Sequence, residues 1–110
     1  MIIQPYKEGD WKKLDPIVSP KTGVNEDFLK LSLFEKEKMV GVFGFRKRGT
    51  LLHIGAIFDK AMKKKVIKVV KISRALLNYF LYRENCSRAI TMVGKEYKPW
   101  AELVGFKEVA

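Results

Sequence analysis

The sequence predicts an α/β domain built on a mixed β-sheet, and three observations carry that reading. Residues Phe28 to Phe34 alternate apolar side chains with Lys30 and Ser32, as a half-buried strand does. Two further apolar runs, Met39 to Phe45 and Leu51 to Phe58, follow after short polar breaks. Beyond them lies the longest amphipathic helical pattern in the chain, and after it a fourth strand, Arg88 to Val93. A strand–helix–strand unit of this kind, Leu51 to Val93, sets its two strands parallel by a crossover. At 110 residues the chain is one domain, large enough for a single core.

Taken in order, Met1 to Tyr6 reads as an N-terminal strand. Asp10 is placed to cap a short helix through Trp11, Leu14 and Ile17, with Pro16 as an early stop. Ser19 to Asp27 (SPKTGVNED) is loop chemistry. Glu35 to Lys38 is a polar turn that makes a hairpin of the two strands it joins, and Arg46 to Thr50 is the next turn. Leu51 to Phe58, apolar almost throughout, is expected to lie centrally, buried on both faces. Asp59 stands at the cap position of the long helix, expected to run unbroken to Tyr82 or Arg83. Met62, Val66, Val69, Ser73, Leu76, Leu77 and Phe80 fall on its inner side, and Lys60, Lys63, Lys64, Lys68, Lys71 and Arg74 on its outer side. Gly94 ends the fourth strand, a short helix follows from Lys95 or Lys98, and Gly105 stops it in a left-handed conformation with Phe106 folding back. Lys107 to Ala110 could open one more strand.

The net charge of +10 is concentrated. Residues 1–45 carry seven lysines and seven carboxylates, whereas Arg46 to Arg74 carry ten cations against Asp59 alone. Such a stretch either solvates the domain or meets a polyanion: nucleic acid, an anionic surface or a polyphosphate. Weak, sequence-independent binding to duplex DNA is the corresponding expectation for a ridge of Lys60, Lys64, Lys68, Lys71 and Arg74. One cysteine, Cys86, excludes an internal disulfide and a cysteine zinc cage; one histidine, His53, excludes a histidine-rich metal site, so no metal is expected. No apolar run reaches the length of a membrane span, and Met1 to Asp10 lacks a signal-peptide core, which points to the cytoplasm.

Three segments, ISRALLNYF (Ile72 to Phe80), SRAITMV (Ser87 to Val93) and WAELVGFKEV (Trp100 to Val109), resemble the GNAT acyltransferase superfamily in order and spacing. The resemblance implies a GNAT-like mixed sheet, here truncated at the C-terminus, where the family usually adds a hairpin. It also implies an acyl-CoA pyrophosphate loop of pattern Gln/Arg-x-x-Gly-x-Gly/Ala at a helix N-terminus. Matched through ISRALL, the loop's positions fall on Lys68, Lys71 and Ser73, with no glycine at either glycine position. The family's general-acid tyrosine falls on Ala101, with Tyr97 one turn earlier as the nearby substitute, and its frequent asparagine falls on Gly94. These departures are similar to those of the GNAT-like internal virion protein A family of short-tailed bacteriophages. That likeness implies a protein of the host cytoplasm or phage particle, acting in assembly or infection without demonstrated acyl transfer.

The remaining chemistry is sparse. His53 is either a general base near the family's substrate cleft or a packed strand residue. Cys86 is flanked by Arg83 and Arg88, which would favour a thiolate, yet it has no histidine beside it. Trp100 and Phe106 read as core packing of the short helix rather than a base-stacking pair. Three functions follow: a non-catalytic GNAT-like accessory or virion protein that binds a protein or polyanion and needs no cofactor; an acetyl-CoA-dependent N-acetyltransferase; or a nucleic-acid-binding module using the basic helix.

Overall fold

The computed structural model describes residues 2–14, 28–91 and 98–107. The strands are β1 (Ile2–Pro5), β2 (Leu29–Glu35), β3 (Lys38–Arg48), β4 (Leu51–Phe58) and β5 (Arg88–Thr91). They lie side by side in chain order in a single sheet. The first four run antiparallel to their neighbours, and β5 runs parallel to β4. Between β4 and β5 the chain crosses over through a 3-10 helix, Lys60–Lys64, and helix α1 (Val66–Arg83). A 3-10 turn (Asp10–Lys13) and a short helix α2 (Lys98–Val104) complete the described elements. The mixed sheet and its crossover are as the sequence predicts.

Two turns of two residues each set the β2–β3–β4 register. Lys36 and Glu37 separate the paired residues Glu35 and Lys38, with Lys36 at φ 58°, in the left-handed region. Gly49 and Thr50 separate Arg48 from Leu51, with Gly49 at φ 60°. Because the second turn is this tight, the ladder extends through Arg46 and Arg48, and β3 is longer than its apolar run suggests. The β2–β3 register shifts between Leu33 and Phe34, leaving Val40 as the extra residue of a bulge. The bulge turns Val40 toward the α1 face, while Met39 and Val42 remain on the other.

The sheet therefore packs on both faces. On one, Leu33, Val40, Phe43, Phe45, Leu52 and Phe58 meet Met62, Val69, Leu76 and Phe80 from the crossover. Phe80 stacks on Phe45 with centroids 4.1 Å apart. On the other, Leu14 covers Met39, Val42 and Ile57. The 3-10 turn is tied down there by Asp10, which is buried with Ser32. Asp10 does not cap a following helix as the sequence suggested. Its Oδ2 instead accepts from the Lys7 amide at 3.0 Å and from Ser32 Oγ at 2.8 Å, and Lys13 Nζ lies 3.2 Å from Oδ1. Burial alone would raise this carboxyl's pKa, but these donors together hold it below its ordinary value.

The long helix is not continuous. Asp59 does cap, accepting from the Ala61 amide at 3.1 Å, but what it caps is the 3-10 helix. Lys65, at φ −121° and ψ 45°, breaks the path, and α1 begins at Val66. Four lysines crowd Lys60–Lys65 at the positive end of the helix dipole, and Val66, Ile67, Val69 and Val70 are β-branched. Both conditions disfavour extending the α-helix back through this stretch.

At the far end, α2 closes in a Schellman motif. Gly105, at φ 121°, donates its amide to Glu102 O at 3.1 Å, and Phe106 donates to Ala101 O at 3.0 Å. Trp100 meets Phe58 edge-on at 6.0 Å, and Trp100 and Phe106 both pack against the main core. Tyr97, Gly94, the loop Ser19 to Asp27 and the last strand expected after Lys107 lie outside the described residues.

Two glycines give a ranked stability test. Gly105→Ala is expected to cost about 1 kcal/mol through backbone strain, since a β-carbon there meets no atom within 4 Å. Gly41→Ala is expected to cost roughly 1–3 kcal/mol by overpacking. Its β-carbon would stand 2.9 Å from Phe58 Cδ1 and 3.1 Å from the Ile57 carbonyl oxygen. Denaturant midpoints measure both, and an unchanged midpoint for Gly105→Ala would contradict the strained helix end.

Candidate functional site

The start of α1 is where the sequence concentrates its charge and where a GNAT-like protein would place its phosphate loop. The first intrahelical bond runs from the Val69 amide to Lys65 O at 3.0 Å. The amides of Val66, Ile67 and Lys68 precede that ladder. Lys68 lies in the first turn of α1, while Lys71 and Ser73 lie deeper, where helix geometry commits the backbone amide to a carbonyl four residues back. Lys68 and Lys71 are exposed, and Ser73 is half-buried on the core side. The three residues matched to the family's loop thus form part of a helix, and they do not converge on one concave site.

No acidic residue lies in the first turn of α1. The missing negative charge comes from elsewhere. Glu35, at the end of β2, hydrogen-bonds both Lys65 and Lys68, with Lys68 Nζ 2.6 Å from Oε2. The hydrogen bond from Lys65, then that from Lys68, hold the Glu35 carboxyl far below the ordinary carboxylate range, at about 2. This bridge joins residues thirty or more positions apart, so helical periodicity could not reveal it. The available signal was chemical: a helix that opens on lysines alone requires a carboxylate from another element.

The outer surface of α1 is unusual for what it exposes. Val69, Leu76 and Phe80 point to the sheet, Lys68 reaches back to Glu35 of β2, and Lys71, Arg74, Asn78, Tyr79 and Tyr82 are exposed. Tyr82 is 89% exposed and Tyr79 54%. The helix carries no carboxylate in its whole length. Of the expected ridge, Lys60, Lys64, Lys68, Lys71 and Arg74 are all exposed. They are not equally placed. Lys60 and Lys64 belong to the 3-10 helix, Lys68 is held by Glu35, and Arg74 donates from Nε to Val104 O of α2 at 3.3 Å.

The other candidates are scattered. His53 is half-buried on β4, opposite Arg46 on β3 and Ile90 on β5. Cys86 is half-buried against the main core, its Sγ donating to Glu84 O at 3.7 Å, the surroundings of a packed thiol. Ala101 lies on α2, whose aromatic neighbours Trp100 and Phe106 are core residues. Among the described residues no three or more His, Cys, Asp or Glu gather as a metal site would require. No helix there is long and apolar enough to cross a membrane.

The Glu35 bridge makes stability depend on acid in a defined window. A carboxylate with a depressed pKa contributes stability that is complete above its ordinary value of 4.5 and is lost as the pH falls toward about 2. Glu35→Gln is therefore expected to lower the melting midpoint at neutral pH, the gap to the native chain narrowing below pH 4.5 and closing as the pH falls through about 2. Paired thermal melts across that range measure it; a gap that stays constant with pH would contradict the bridge.

No family model matches the chain, and no curated protein matches it. Solved structures do. A Trypanosoma brucei acetyltransferase is 16% identical with a TM-score of 0.44, covering 76% of this chain and 64% of its own. The aminoglycoside antibiotic 6'-N-acetyltransferase AAC(6')-IG from Acinetobacter haemolyticus is 12% identical with a TM-score of 0.65. That match covers 100% of this chain and 93% of the enzyme. The five-stranded mixed sheet with its β4–α1–β5 crossover is thus a GNAT-like fold.

Proposed function

We propose that this chain is a GNAT-fold binding protein that performs no acyl transfer, with the outer face of α1 as its contact surface for a polyanion or protein partner. The observation that carries this reading is the position of Lys71 and Ser73 inside α1. Where the family's loop presents bare glycine amides to a pyrophosphate, this chain presents helix interior, its amides already engaged. The role as a phage accessory or virion-associated protein rests on the sequence resemblance alone. It agrees with a fold kept for binding rather than for chemistry.

One observation favours a second reading, an acetyl-CoA-dependent N-acetyltransferase. The break at Lys65 leaves the amides of Val66, Ile67 and Lys68 ahead of the helical ladder, beside Lys64 and Lys65. Acetyl-CoA phosphates could approach there, and the similar fold of an N-acetyltransferase supports the idea. Against it, the approach is lined by a lysine and two β-branched residues instead of glycines. Tyr97 and His53 would then be the residues to examine as acid and base.

Two measurements separate these readings. Calorimetric titration with acetyl-CoA is expected to give no binding in the micromolar range; micromolar affinity would overturn the first reading in favour of the second. Reversing Lys64, Lys68 and Lys71 to glutamate is expected to abolish retention on heparin at low salt while the chain remains folded. Unchanged retention would remove α1 as the polyanion surface.

A further inference from the structure

We infer that the polyanion accepted by the outer face of α1 is single-stranded nucleic acid, its phosphates held at Lys71, one turn beyond the Glu35-bonded Lys68, and its bases stacked on Tyr79 and Tyr82. This rests on the reading of α1 as a polyanion surface and goes beyond it in naming the ligand class. The placement follows from helical spacing. Lys68, Lys71, Ala75, Tyr79 and Tyr82 recur at intervals of three and four residues, so they form one outward stripe. From Lys68 to Tyr82 the stripe is about 21 Å long at 1.5 Å per residue. That matches roughly six nucleotides of a stacked strand at 3.4 Å each. Ala75, exposed in the middle, is the small residue between the cationic and the aromatic halves.

The two tyrosines have the exposure that stacking needs. Tyr82 is 89% exposed; Tyr79 is 54% exposed, its ring steadied edge-on against Phe80 at 5.1 Å. Neither exposure is explained by the core, which takes Phe80 between them in register. A generic polyanion surface needs only the cations. Duplex DNA keeps its bases paired and stacked, so exposed tyrosines add little to it. Protein interfaces are depleted in lysine at their centres, whereas aromatic rings interleaved with cations are the mark of single-strand binding. A second copy laid parallel on the same stripe would set lysine against lysine, because α1 has no carboxylate to answer them.

The test uses the full chain and three probes: a fluorescein-labelled oligo-dT, a duplex of equal length, and heparin. Oligo-dT is expected to bind more tightly than the duplex at low salt, with log affinity falling as log salt rises. Tyr79→Ala/Tyr82→Ala is expected to weaken oligo-dT binding about tenfold or more and to leave heparin retention unchanged. Tyr79→Phe/Tyr82→Phe, which keeps the stacking faces, is expected to bind as the native chain does. Equal oligo-dT affinity in the alanine variant, or a duplex bound as tightly as the single strand, would overturn the inference while leaving the polyanion surface intact. Heparin retention unchanged by the lysine reversals would remove the surface itself. No oligo-dT binding at low salt would also overturn it and turn this face toward an acidic protein.

Discussion

The contact on which the rest of this molecule depends is the ring of Phe80 stacked on Phe45. It lies toward the C-terminal end of α1 and joins the helix to the middle of the sheet. With Val69 and Leu76 on the same side, it fixes the rotation of the helix about its axis. Every statement about which residues face outward follows from that rotation. A helix turned by one position would bury Lys68 and expose Val69, at the cost of desolvating a charge. The aromatic contact therefore determines the surface chemistry of the face opposite to it.

A second constraint acts at the other end of α1. A run of lysines at a helix start opposes the dipole and repels itself. Here the conflict is resolved by the 3-10 segment and the break at Lys65, and by a carboxylate from β2. The Glu35 bridge also ties the β2–β3 turn to the crossover, so a surface ion pair contributes to tertiary arrangement more than to net stability. It leaves Lys71, one turn further on, without a carboxylate partner among the described residues. The division of labour along the helix, structural lysines first and Lys71 after them, comes from the reach of one glutamate.

Much of this was legible in the residues. The strand pattern, the near-exact limits of β4, the crossover and the Gly105–Phe106 helix end could all be read from periodicity and turn chemistry. The charged stretch Arg46 to Arg48 misled because cations after an apolar run look like a turn, whereas a two-residue turn at Gly49–Thr50 keeps them in the ladder. The break at Lys65 was invisible because Met62 and Val69, seven residues apart, face inward whether or not the helix is continuous. Asp10 was read as a cap because its position suits one, and its true partners Lys7 and Ser32 depend on the sheet being assembled. The site was less legible than the fold. Local patterns identify charge, but which cations are already engaged is decided by contacts between distant segments.

The sheet order, identical to the chain order, bears on how the molecule assembles. Strands β2, β3 and β4 are joined by turns of two residues, so their pairing closes the shortest loops in the fold and loses the least chain entropy. The parallel pairing of β5 with β4 must instead enclose the whole crossover, and its contacts are non-local. The three-stranded meander is therefore the least expensive part to order. Once formed, it already displays Phe43 and Phe45 side by side, an apolar landing surface complete before the helix that will occupy it has been fixed in place.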